Sequence, residues 1–168
     1  MTYLKEALSK EQTSGLAFLS FVFLMNMVFA ISPLAIDMYL PAFPAMAQSL
    51  NTSISAIEAT IAVYLLFFAF GQFVFGAFAD RYNKANLLSF GLLLFVIATV
   101  GLVYVESATG MYAWRALQAF SAGTSIVVLP LIHQTFNPLR ANQALSYIMA
   151  GVVLTPMISP FIGSLILV

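Results

Sequence analysis

Five long stretches without a charged residue decide what this chain can become. They run from Gln12 to Ile36, Ala59 to Ala79, Ala85 to Val105, Ala116 to Leu139 and Ala141 to Val168. A helix needs about 20 residues to cross roughly 30 Å of hydrocarbon, and every stretch is long enough. Lipid offers no partner for an unpaired backbone group, so a helix is the form such a stretch takes there. A β-barrel would need strands of about 10 residues alternating polar and apolar, and these stretches do not alternate. The pattern predicts an all-α integral membrane protein with five transmembrane helices, at about 15–38, 57–79, 85–105, 111–135 and 143–167, behind a tail of residues 1–14.

Composition removes the alternatives. Only 7% of the 168 residues are charged, against about 25% in an ordinary soluble domain. Such a chain cannot clothe a water-facing surface. Six cations balance six acids, which gives no pull towards nucleic acid. The absence of Cys excludes disulfides, thiolate metal sites and a Cys nucleophile. One His and dispersed carboxylates offer no metal site. There is no Gly-rich phosphate loop and no Ser-His-Asp cluster. The expectation is a protein that is not an enzyme and carries no cofactor, with the lipid bilayer as its first partner.

Lys and Arg set the direction of threading. Lys5 and Lys10 precede the first helix, Arg81 and Lys84 join the second to the third, and Arg140 joins the fourth to the fifth. The other two connections hold neither residue type. The N-terminus is therefore expected on the cytoplasmic side. The first stretch is too long for the core of a signal peptide, typically 7–15 residues, and is expected to be retained. Short connections lead us to expect consecutive helices as antiparallel neighbours in one bundle.

Small and polar residues mark faces that do not meet lipid. Asn26, Ala30, Pro33 and Asp37 form one stripe on the first helix. Gln72, Gly76 and Asp80 line the second. Arg115, Ala119 and Gly123 line the fourth, with Gln118, Ser121 and Ser125 beside them. Gly151, Thr155, Ser159 and Gly163 line the fifth, which Pro156 and Pro160 should bend. The third helix has no sustained stripe and is expected at the periphery. Any one stripe could be close helix packing; four together, three of them bearing a charge, point to a cavity. Asp37 would be a titratable group at its mouth, or a carboxylate closing a turn. A charge at the bilayer centre costs roughly 2.5–3.5 kcal/mol on insertion scales. Arg115 either snorkels to the surface or points into the bundle, and the Ala119 and Gly123 stripe favours the bundle.

Four segments resemble the major facilitator superfamily, and within it the Bcr/CflA branch of drug:proton antiporters. They are Pro33 to Pro44 (PLAIDMYLPAFP); Gly71-Gln72 with Gly76 to Lys84 (GAFADRYNK); Arg115-Ala-Leu-Gln118-Ala119 with Gly123; and Gly151 to Gly163 with its two prolines. The resemblance covers residues 15–168. Asn83 stands where the family usually has Gly; Asn tolerates the left-handed conformation, so the turn is expected to survive. Lys84 and Ala85 stand where two further basic residues are usual. His133-Gln134 replaces an Arg-Asp pair, which removes the acidic partner of that turn.

The resemblance implies a partial six-helix N-terminal bundle of a twelve-helix, two-half transporter in the bacterial inner membrane. It implies proton-coupled efflux of a small amphiphilic drug, of the bicyclomycin or chloramphenicol resistance type. Asp37, Arg115, Asn26 and Gln118 would serve proton coupling and the cavity. Gly76, Asp80, Arg81 and Lys84 would form a cytoplasmic gate, and Gly151, Pro156, Pro160 and Gly163 the antiporter motif of the fifth helix. A site built from two halves cannot alternate access with five helices, so the sequence is expected to be a front fragment that transports only with its missing C-terminal half. Two other readings stay open: a metabolite transporter of the same superfamily, and a small membrane subunit without a pathway of its own.

Overall fold

The computed structural model describes residues 15–166. The expected tail of residues 1–14, with Lys5 and Lys10, lies outside them. The described chain is helical, in the order α1 (Gly15–Asp37), a 3-10 turn (Leu40–Ala42), α2 (Phe43–Ser49), α3 (Ile54–Ala79), α4 (Lys84–Val103), α5 (Ala108–Ala122), a 3-10 turn (Gly123–Val127), α6 (Val128–Thr135) and α7 (Pro138–Ile166). Among the described residues five spans are long and apolar enough to cross a membrane: Gly15–Ser49, Ile54–Ala79, Lys84–Val103, Ala108–Thr135 and Pro138–Ile166. The fifth helix starts at Pro138, ahead of the expected 143, because Pro at the first helical position needs no N–H partner. The Asn137 side chain accepts from the Arg140 N–H at 2.9 Å beside it.

Local chemistry sets the other ends. Ser53 Oγ accepts from the Ala56 N–H (3.2 Å) at the start of α3, and Ser107 Oγ from the Gly110 N–H (3.1 Å) at the start of α5. α2 was not foreseen from the sequence. It closes with the Thr52 N–H on the Ala47 carbonyl (2.9 Å) and the Asn51 N–H on the Gln48 carbonyl (3.2 Å). That pairing requires a left-handed residue, which Asn51 supplies at φ 48°.

Asn83 needs correcting. It is extended, at φ −63° and ψ 121°, not left-handed. Its Oδ1 accepts from the N–H groups of Ala85 (3.0 Å) and Asn86 (3.2 Å), capping α4. Asn serves here as a cap, a task Gly's missing side chain cannot perform. Asn83→Ala is expected to cost about 1 kcal/mol, to be measured as a lower midpoint of thermal unfolding in detergent.

The fourth span is also not one continuous α-helix. Its middle tightens into the 3-10 turn at Gly123–Val127, just ahead of Pro130. Pro130 has no N–H for the Ile126 carbonyl and its ring crowds that group, which disfavours a regular α turn at this point.

The packing departs from consecutive antiparallel neighbours. α1 packs mainly on α7, and α3 mainly on α5 with its 3-10 turn. Both pairs run parallel: Asn26 meets Tyr147 while Met38 meets Gly163, and Ala56 meets Tyr112 while Gly71 meets Phe120. Among consecutive spans the main antiparallel contact is that of α4 with α5 and its 3-10 turn, with Gly101 on Trp114 and Gly91 on Thr124. Glycines decide these contacts. Short connections fix the direction of consecutive helices; the faces that permit close approach choose the partners. Elsewhere α3 and α7 expose large apolar side chains, among them Phe73 (74%) and Phe161 (71%).

Candidate functional site

Arg115 stands seven residues into α5, about 10 Å below the helix start at 1.5 Å per residue. It is 5% exposed and turned into the bundle. Its Nη1 donates to the Ala35 carbonyl at 2.9 Å and to Gln118 Oε1 at 3.1 Å. Ala35 lies in the last turn of α1, where carbonyls lack partners within the helix. A cation at that end also meets the negative pole of the helix dipole. Gln118 is buried in turn, and its Nε2 donates to Thr99 Oγ1 of α4 at 2.9 Å. The Thr99 hydroxyl donates to the Phe95 carbonyl at 2.8 Å. One guanidinium and one amide thus join α1, α5 and α4.

Two aromatic walls flank the guanidinium. Its Cζ lies 3.7 Å from the Tyr39 ring centroid and 5.9 Å from that of Tyr64. Tyr64 donates to Ser32 Oγ at 3.4 Å. Ile36, Thr60 and Ile61 complete the enclosure, which leaves no room for a water molecule. The Arg115 Nε is buried without a hydrogen-bond partner. Beside this cluster a groove of about 280 Å³ opens between α1 and α4. Ile31, Leu34, Ala35, Met38 and Phe95 form its apolar walls, and Thr99 and Gln118 its polar floor.

The other singled-out residues are spread through the bundle. Asp37 ends α1 half-buried, and no carboxylate is among the Arg115 partners of the described residues. Asn26 is not beside Arg115; its Nδ2 donates to the Tyr147 carbonyl at 3.2 Å, against Gly151 of α7. Gly151 and Gly163 seat α7 on α1, Gly163 against the Met38 backbone, while Pro156 is exposed and Pro160 half-buried. Asp80 and Arg81 are exposed and Lys84 half-buried in the turn between α3 and α4; Gly76 has open space around it. Among the described residues no group of three His, Cys, Asp or Glu could hold a metal ion.

The sequence reading missed Tyr39, Tyr64 and Thr99. Tyr64 carried a signal. A tyrosine in the middle of a span, away from the interfaces, needs a buried partner for its hydroxyl.

The family model described as Major Facilitator Superfamily matches residues 13–168, nearly the whole chain. The chain belongs to the major facilitator superfamily. Among curated relatives, this facilitator chain is 29% identical over 150 residues to an uncharacterised MFS-type transporter of Bacillus subtilis, covering 89% of the chain and 37% of the relative. It is 31% identical to a chloramphenicol resistance protein of Pseudomonas aeruginosa, covering 86% and 35%. It is 26% identical to multidrug resistance protein D of Escherichia coli, covering 85% and 36%. The facilitator chain thus spans a little over a third of the length of these relatives.

Proposed function

We propose that this chain is the front part of a proton-coupled exporter of small amphiphilic drugs in a bacterial inner membrane, with its N-terminus cytoplasmic. The observation that carries the reading is the buried Arg115. A cation held inside a membrane bundle with no carboxylate in contact is costly to keep, and such residues mark substrate and ion pathways. Resistance proteins among the relatives supply the substrate class. Asp37 is the titratable group of the pathway, Arg115 sets its electrostatics, and Gln118 joins that charge to the groove. Gly76, Asp80, Arg81 and Lys84 form the cytoplasmic turn that gates access. Pro156 and Pro160 stand on the part of α7 free to meet a second half, which completes the pathway.

The test uses the protein with its second half in place, in inverted membrane vesicles. Chloramphenicol is added and proton movement is followed with a pH-sensitive dye. Asp37→Asn is expected to abolish drug-driven proton movement. Unchanged movement would remove Asp37 from the mechanism. A susceptibility panel run in parallel separates drug export from metabolite transport, since a metabolite carrier would leave every drug threshold where it was.

A further inference from the structure

The Arg115 cluster lacks the partner that a buried guanidinium ordinarily has. No carboxylate touches it among the described residues; a carbonyl, an amide oxygen and a ring do. The ring is Tyr39, 7% exposed and held from two further sides. Its hydroxyl lies 3.1 Å from Thr60 Oγ1 and 3.6 Å from Met111 Sδ. The Thr60 hydroxyl donates to the Ile57 carbonyl at 2.6 Å, and the one Tyr39 hydroxyl proton lies between Thr60 Oγ1 and Met111 Sδ. Its edge packs on Phe43, with centroids 4.9 Å apart at 72°. A ring fixed this way has little freedom to leave the guanidinium.

We propose that Tyr39 is a positioning residue for transport: its ring face stands in for a carboxylate and holds Arg115 in place. The negative face of an aromatic ring attracts a cation, and the attraction strengthens as water is removed. The enclosure here is too tight for water. The device differs from a buried ion pair in one consequence. A carboxylate bound to Arg115 would be locked in its charged form, whereas a ring takes no proton. Asp37, two residues before Tyr39, is thereby left free of the guanidinium. This inference rests on the transport reading above for its role, but not for its geometry.

Two measurements test it separately. In vesicles holding the protein with its second half, initial rates of chloramphenicol-driven proton movement are compared for the parent protein, Tyr39→Phe and Tyr39→Leu. The Phe variant keeps the ring and is expected within about twofold of the parent in kcat and KM. The Leu variant fills similar space without a ring face and is expected to lose about tenfold or more in kcat, with KM little changed. Equal activity of the Leu and Phe variants overturns the proposal. So does a Phe variant as poor as Leu, which would give the role to the hydroxyl. The second measurement is modification of Arg115 by phenylglyoxal, read by mass spectrometry. Arg115 is expected to be protected in the parent and the Phe variant and reactive in the Leu variant. Equal reactivity in all three overturns the proposal. If the parent moves no protons with drug, the transport reading fails, and the labelling still decides whether Tyr39 holds Arg115.

Discussion

Arg115→Ala is expected to abolish drug export while the amount of protein in the membrane stays at the parent level. The two halves of that expectation have different causes. Export fails because the substitution removes the charge that joins α1, α5 and the polar floor of the groove. Insertion survives because a buried cation is itself a burden on the bundle, and its removal relieves that burden. What remains is an unpaired Ala35 carbonyl and a Gln118 oxygen without its donor, each worth about 1–3 kcal/mol when buried. The Gln118 bond to Thr99 is untouched and still ties α5 to α4. Arg115→Lys is expected to fail in export too. An ammonium cannot lie flat on the Tyr39 ring while donating along a planar fork to two oxygens. Export is read from drug accumulation in cells, and insertion from an immunoblot of washed membranes. Normal export by the Ala variant would show that the side chain has no part in the pathway.

Gly71→Leu is expected to have the largest effect on stability. A Cβ at Gly71 would run into the backbone carbonyl of Phe120, and Gly123 sits as tightly on the Gly71 and Gln72 backbone. Backbone cannot swing aside as a flexible side chain would, so α3 and α5 must separate. Overpacking of this kind costs about 3 kcal/mol, the upper part of its usual range. Gly76, five residues further on, has nothing within 4 Å of its would-be Cβ. Gly76→Leu on the same helix is therefore expected to unfold like the parent. The single tryptophan, Trp114, packs on Gly101 and reports the bundle by its fluorescence. Similar unfolding midpoints for the two variants in detergent would contradict the close contact at Gly71.

Much of this architecture was legible in the sequence because lipid imposes simple rules. Charge-free stretches of sufficient length had to be helices, and Arg115 sharing a stripe with Ala119 and Gly123 pointed inward. What escaped was of two kinds. Partner choice depends on which glycine faces which backbone, and nothing in a single sequence pairs Gly71 with Phe120 or Gly151 with Asn26. The stripe on α7 was visible, but its partner was not. The third span was read as lacking a stripe, yet Gly91 and Gly101 give α4 its seat on the fourth span. The second kind was local. The fragment after Asp37 carries enough apolar residues and a left-handed Asn51 to close α2, a signal hidden by Pro41 ahead of it and Pro44 in its first turn. Asn83 was assigned to a turn through its tolerance of left-handed backbone, when its side-chain oxygen was the operative part. Around Arg115, the guanidinium was found but its aromatic walls were not, because a tyrosine beside the Asp37 motif reads as an interfacial residue.

The parallel pairing of α1 with α7 has a consequence for the order of events at the ribosome. Asn26 and the carbonyl it binds are 121 residues apart. At about 5–20 residues per second, the first helix waits roughly 6–24 s for its main partner to be made. During that time α3, α4 and α5 are complete and can close on one another through Gly71, Gly91 and Gly101. The first helix meanwhile holds a polar amide and a small-residue face towards lipid or the insertion machinery. Until α7 follows, the contacts open to α1 are those near its C-terminal end, where the Ala35 carbonyl accepts from Arg115 of α5. α1 is thus made well before the helix that holds most of its face.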